Sequence, residues 1–152
     1  MSAFEQALAS IGWINAESAH DSFLFDLFRE LKSKELEPLS LSELQRETLV
    51  AQQFNARTQG YACSFPDARI FVKLEVGALM ALLGPEIHLI DLTIAEGARN
   101  QGHGSELFRT ITALGVPVTL SVFAENPARR LYSRLGFRET SSTGMHVEMR
   151  YE

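Results

Sequence analysis

The chain has 152 residues, 45 per cent of them apolar and 22 per cent charged, a balance that suits one globular domain burying roughly 70 per cent of the surface its unfolded form exposes. The net charge of −5, with Lys and Arg scattered apart from Arg129-Arg130, excludes the basic face that nonspecific nucleic-acid binding needs. No apolar run approaches the ~20 residues of a membrane span, so neither nucleic acid nor membrane is expected as a partner.

No linker, repeat or low-complexity segment interrupts the chain, and a single domain over 1–152 is expected. The lone cysteine, Cys63, cannot close an internal disulfide, and the opening Met1-Ser-Ala-Phe-Glu-Gln lacks the charged and apolar regions of a secretory leader. Those two features lead us to expect a reducing cytoplasm.

Residues 1–10 are Ala-rich and fit either a short helix or a disordered N-terminal extension. Ile11 to Ala16, with the only tryptophan at position 13, reads as a first strand. Ser18-Ala-His-Asp21 has the spacing of a capping box, and Phe23, Leu24, Leu27, Phe28 and Leu31 follow on one helical face, so an amphipathic helix is expected to end before Pro38. Ser40-Leu-Ser-Glu43 is expected to cap a second helix running to about Ala62, weakened near its end by Gly60.

Strand signals then take over. Ala68 to Leu74 alternates around Ile70 and Val72, Gly77 to Leu83 is nearly all apolar, and Gly84-Pro85 turns the chain into Glu86 to Ala95. These segments predict an antiparallel meander whose last strand lies centrally in the sheet. A helix from about residue 103 is expected to end at Gly115, with Pro117 beyond it. Val118 to Phe123 alternates as a strand, parallel to the one before the helix because strand-helix-strand units cross over right-handed. Asn126 caps a helix with Pro127 at its first position and Ala128, Leu131, Tyr132 and Leu135 on its inner face. Phe137 to Glu139 and Met145 to Tyr151 should form a closing hairpin joined by Thr140-Ser-Ser-Thr-Gly144.

The stretch from Asp91 to Ile111 carries the chemistry. Ile90, Leu92 and Ile94 alternate, whereas Leu107, Phe108, Ile111 and Leu114 recur at helical spacing, so the hydrophobic period changes across a turn containing Gly102 and Gly104. A helix start leaves backbone N–H groups unpaired and partly positive, and glycines there clear the approach for a phosphate. Gly97 and Gly102 have the spacing of a P-loop, but His103-Gly104 stands where that loop needs Lys and Ser or Thr. The dinucleotide fingerprint fails as well, because Leu107 stands where a third small residue belongs.

Arg99-Asn100-Gln101-Gly102-His103-Gly104 fits R-x-x-G-x-G, and downstream Asn126-Pro-Ala-Arg-Arg-Leu-Tyr132-Ser-Arg-Leu-Gly136-Phe137 follows N-x-x-A-x-x-x-Y-x-x-x-G-F with Ala128 one place early. With these two blocks the chain resembles the GNAT superfamily of acetyl-coenzyme A-dependent N-acetyltransferases. The likeness runs from about Ile11 to Tyr151 and is specific from Glu86 to Phe137. It implies an α/β (α+β) fold: a mixed, mostly antiparallel sheet of about seven strands, two central parallel strands that splay apart, and about four helices. It further implies an acyltransferase that binds acetyl-CoA as cosubstrate without a metal, takes an amine acceptor, and exists as a monomer or homodimer.

Site roles follow from the same resemblance. The pyrophosphate would lie against Arg99, Asn100, Gln101, Gly102, His103, Gly104 and Ser105. Gln101 replaces a second basic residue common in that loop, which leaves Arg99 and the helix dipole to supply the positive field. The main chain of Leu92, Thr93 and Ile94 would line the pantetheine arm, with an N–H near Leu92 or Thr93 holding the thioester carbonyl, and Asn126 would approach the arm from the other side. Tyr132 would protonate the departing sulfur: a phenol stays protonated to about pH 10 while a thiol ionises near 8.5.

Each of these residues also has a plainer role. The loop can be a helix start and no more, Asn126 a helix cap, and Tyr132 a core aromatic. His88 aligns with the catalytic glutamate of some family members, and an imidazole, ionising near ~6.5, suits a general base, although a single strand residue is more often simply packed. Asp91 lies on the opposite face from His88 unless a bulge turns it, and the resemblance implies such a bulge. The four histidines show no metal-ligand spacing. The alternative function is a catalytically silent CoA-binding sensor or partner-binding module on the same fold, against which the intact Asn126 and Tyr132 count.

Overall fold

In the computed structural model, which describes residues 1–152, those hydrophobic periods become seven strands and five α-helices. The fifth helix, beyond the four expected, is the N-terminal one. Here α1 (Ala3–Ser10) starts with a capping box, Ser2 Oγ accepting from Glu5 N–H at 3.2 Å and a Glu5 carboxylate oxygen accepting from Ser2 N–H, and it buries Phe4 and Leu8 in the main core. Residues 1–10 are therefore part of the domain, because those two side chains fill a space that the sheet would otherwise expose.

Strand β1 (Ile14–Asn15) is shorter than the sequence suggests, since Trp13 turns inward and is fully buried. The cap expected at Ser18 does not form. Ser18–His20 is a 3₁₀ turn in which Glu17 N–H donates to His20 Nδ1 at 2.9 Å, and α2 (Asp21–Leu36) follows it directly. At the second expected cap, Ser42 and not Ser40 accepts from the helix, bonding Gln45 N–H at 3.1 Å. From there α3 (Glu43–Ser64) passes through Gly60 and ends two residues beyond Ala62, the length of the helix outweighing the glycine's cost of about 1 kcal/mol.

The strands β2 (Arg69–Lys73), β3 (Gly77–Leu82) and β4 (Ile87–Ile94) form the expected antiparallel meander. After α4 (His103–Thr112) the chain returns as β5 (Val118–Phe123), parallel to β4, and α5 (Ala128–Arg134) leads to β6 (Arg138–Thr143) and β7 (His146–Tyr151). The sheet order is β1-β2-β3-β4-β5-β7-β6, with β4 at its centre. In the closing hairpin, β6 extends to Thr143 and the turn is only Gly144-Met145. A bulge at Thr140 lets a run that reads as loop pair with β7.

On one face of the sheet, α1 and α4 cover the main core, where Phe4, Leu8, Leu107 and Ile111 meet Phe71, Leu79, Leu89 and Leu120. On the other, α2 and α3 pack together through Phe28, Leu36 and Val50. The N-terminal helix is held to the sheet edge by charge as well as packing: Asn15 Nδ2 donates to Glu5 at 2.8 Å and Arg69 to the same carboxylate at 3.2 Å. The hydrogen bond from Asn15, then that with Ser2, then the Arg69 charge lower the Glu5 pKa from 4.5 to about 2. A lowered carboxylate pKa contributes stability above the unfolded value, and that contribution disappears as pH falls through the folded one. We expect Glu5→Gln to melt below the parent near neutrality and the gap to close between about pH 4.5 and 2. Thermal unfolding across that range checks it, and a gap of constant size would count against this role.

Candidate functional site

The site begins where two strands part. β4 and β5 pair at Ile87↔Val118, His88↔Thr119 and Leu89↔Leu120, and the ladder then stops although both strands continue. At the same place the β3–β4 register slips, Met80 lying opposite Asp91 and Ala81 opposite Leu89, so Ile90 is the extra residue of a bulge. A bulge reverses the alternation beyond it. Leu92 and Ile94 therefore pack towards the main core with Leu89, while Asp91 comes round to the side of His88, facing α2 and α3.

The bulge also decides which backbone groups are free. Ala95 N–H donates to Val76 C=O at 2.7 Å on the β3 side, so by strand alternation Thr93 addresses β3 whereas Leu92 and Ile94 address the gap left by β5. Of the two candidate donors for a thioester carbonyl, Leu92 is the one whose N–H points into the gap. The Ile94 carbonyl, on the same edge, is taken up by Arg99 Nε at 3.1 Å.

Beyond Ile94 a 3₁₀ turn, Glu96–Ala98, leads to Asn100 and Gly102, both left-handed at φ 62° and 84°. The first bond of α4 is Glu106 N–H to Gly102 C=O at 2.9 Å, and none of the N–H groups from Gln101 to Ser105 donates within the chain. Gly102 is required by its dihedral angle. Gly104 is not, and a Cβ there would meet nothing within 4 Å, so its missing side chain leaves open space beside the free donors. The Gln101 side chain folds back onto Gly97 C=O at 2.9 Å and adds no charge.

On the far side of the gap, Asn126 Oδ1 accepts from Ala128 N–H at 2.9 Å, so Asn126 caps α5. That cap orients α5, from which Tyr132 packs against Phe108 and Phe137 with ring centroids 5.1 and 6.0 Å away. Its hydroxyl makes no hydrogen bond in the chain. Burial, and after it the charge of Asp91, pushes the Tyr132 pKa above 10.0, which keeps the phenol protonated.

Opposite the core, α2, α3 and the sheet enclose a cavity of about 800 Å³ with Asp91 and Thr93 in its wall. His88 is not in that wall. Its Nδ1 lies 2.8 Å from Thr119 Oγ1 in a shared hydrogen bond, and its ring is packed beside Phe65. Glu35 to Ser42 and the hairpin turn also lie outside it. Sequence reasoning missed Arg57, which is ion-paired with Asp91 and lies over the Tyr61 ring at 5.0 Å. Nothing in the chain marks Arg57, because the register of α3 against the sheet is a tertiary property. No group of three or more His, Cys, Asp and Glu side chains is placed to hold a metal ion, and no helix is long and apolar enough to cross a membrane.

A parted parallel pair, a helix start with free N–H donors and a buried tyrosine on α5 make up the candidate site. Residues 66–139 match the family model of the acetyltransferase (GNAT) domain. The backbone is similar to that of the PaiA N-acetyltransferase from Thermoplasma acidophilum in complex with coenzyme A, with TM-score 0.65 and 15% identity over 92% of this chain and 97% of that one. It is similar also to an acetyltransferase from Thermus thermophilus, with TM-score 0.61 and 20% identity over 91% and 94%. A GNAT family acetyltransferase from Listeria monocytogenes gives TM-score 0.60 and 12% identity over 92% and 93%. No curated protein sequence matches the chain. The family match spans residues 66–139, from just beyond α3 into β6, and at these identities the structural likeness is one of fold.

Because the Asp91 charge helps to raise the Tyr132 pKa, Asp91→Asn should lower it. Ultraviolet difference titration of tyrosinate, with Tyr132→Phe to identify the signal, reads the shift. An unmoved titration would mean that the Asp91 charge does not reach the phenol.

Proposed function

We propose that the protein transfers an acetyl group from acetyl-CoA directly to an amine, both substrates being bound together. The observation that carries this reading is the gap between β4 and β5. Free N–H groups of the α4 start follow β4, Leu92 N–H lies along one edge, and α5, which follows β5, carries Tyr132. The amine nitrogen attacks the thioester carbonyl and forms the N–C bond of a tetrahedral intermediate, whose collapse breaks the C–S bond and releases the thiolate. Leu92 N–H holds the negative oxygen of the tetrahedral intermediate, a fixed donor aimed at the charge as it develops. Tyr132 gives its proton to the thiolate. Holding the two reactants together accounts for much of the acceleration.

Two groups are candidates to take the amine's proton. Asp91 is supported by its place in the cavity wall and by its electrostatic reach to Tyr132, with Arg57 orienting the carboxylate. The second reading, His88, is supported by the bond to Thr119, which fixes the ring and leaves Nε2 unused. We favour Asp91, since it alone faces the space an acceptor would fill.

Coenzyme A should bind at the α4 start and raise the melting temperature. Gly104→Val should abolish that shift with the fold retained, because its side chain enters open space on the path of the pyrophosphate. Calorimetry showing parental affinity in this variant would sink the loop assignment. Binding without release of free thiol across an amine panel would instead identify a silent CoA-binding module.

Tyr132→Phe should lower turnover by roughly 10²- to 10⁴-fold with little change in coenzyme affinity. Asp91→Asn should do the same, while the pH–rate profile of His88→Ala superimposes on the parent's. If His88→Ala reshapes the profile and Asp91→Asn keeps its rate, the proton acceptor is His88.

A further inference from the structure

The cavity between α2, α3 and the sheet has a wall whose chemistry bears on the choice of acceptor. Thirteen of its 21 lining residues are hydrophobic. Leu24, Leu31, Phe54, Tyr61, Phe65 and Met80 are among the lining residues. Its volume of about 800 Å³ lies within the range of small-molecule sites, which are mostly apolar with a few convergent polar groups. Its four charged residues are Asp21, Lys32, Arg57 and Asp91, two of each sign, so the wall carries no net charge.

Both cations are already engaged. Arg57 is paired with Asp91 and stacked on Tyr61 and Phe28, and Lys32 bonds Glu35 at 2.8 Å, so neither is free for a carboxylate on the acceptor. A polycation would need several carboxylates along its length. Apart from Asp91 the wall has only Asp21, the exposed first residue of α2. Four aromatic side chains, Phe28, Phe54, Tyr61 and Phe65, line the same space, and rings recognise rings through offset and edge contacts beyond the area they bury.

Resting on the acetyl-transfer reading above, we infer that the acceptor is a primary amine on an apolar, ring-bearing body with no second charge. Its nitrogen lies at Asp91 beside the gap, and its ring lies among the aromatic side chains of α2 and α3.

The experiment compares 2-phenylethylamine, 1,4-diaminobutane and phenylalanine as acceptors in the full chain, by thiol release from acetyl-CoA. The ring-bearing amine should exceed the other two in kcat/KM by ~100-fold or more, since apolar pockets gain from each buried group and leave a second charge unpaired. Leu31, on the cavity wall and already 39% exposed, can take a charge without disturbing the core. Leu31→Glu should therefore lower kcat/KM for 2-phenylethylamine and raise it for the diamine, with coenzyme A affinity retained. Preference of the parent for the diamine or for phenylalanine overturns the inference and leaves acetyl transfer standing. If no amine turns over, calorimetry with 2-phenylethylamine separates the two readings. Binding that Leu31→Glu abolishes supports the acceptor assignment and overturns catalysis, whereas absence of binding overturns the acceptor assignment.

Discussion

The parting of β4 from β5 after Leu89 and Leu120 is the constraint on which the remaining architecture depends. Two parallel strands in the middle of a sheet would ordinarily keep their ladder, because an unpaired backbone donor away from water costs about as much as a lost hydrogen bond. Here the ladder stops with β4 still running, and the bulge at Ile90 turns Leu92 N–H towards the opening. One inserted residue thereby exposes a donor, returns Leu92 and Ile94 to the core, and moves Asp91 to the other face. An unbulged strand would keep Asp91 with Leu89 in the apolar core, where a carboxylate without a partner is untenable.

The loop at the start of α4 joins backbone donors to one side-chain charge. Arg99 is anchored through Nε to the Ile94 carbonyl and keeps its charge, while Gln101 folds onto Gly97 and adds none, so the guanidinium, the free N–H groups and the helix dipole supply the positive field for an anion. The left-handed backbone at Asn100 and Gly102 aims these donors. α2 is also tied to this loop: Glu30 accepts from Glu96 N–H at 3.3 Å, and Lys34 is ion-paired with Glu96. The helix over the cavity and the loop after β4 are thus held in one frame, which fixes the cavity relative to the gap.

Tyr132 illustrates how packing and electrostatics combine. Phe108 and Phe137 hold its ring, burial and Asp91 keep the phenol protonated, and the cap formed by Asn126 sets the helix that carries it. Asp91 in turn is balanced by Arg57 across the cavity. The charge that favours a protonated tyrosine therefore sits in a wall that is neutral as a whole.

The chain by itself determined the strand and helix order, the glycine-bearing turn and the Asn126 to Phe137 block, because these rest on periods and spacings a few residues long. Its local errors have local causes. Ser18 and Ser40 have cap chemistry, but Glu17 and Ser42 hold the extended backbone that a cap needs, and Thr140 to Thr143 reads as loop because its pairing depends on a bulge opposite β7. What only the tertiary structure decided is longer in range. Phe4 and Leu8 make the first helix part of the core, His88 is bonded to Thr119 across 31 residues of chain, and Arg57 meets Asp91 across 34. Such pairs depend on how a helix registers against a sheet. That register is set by the packing of whole faces, and no short stretch of sequence contains it.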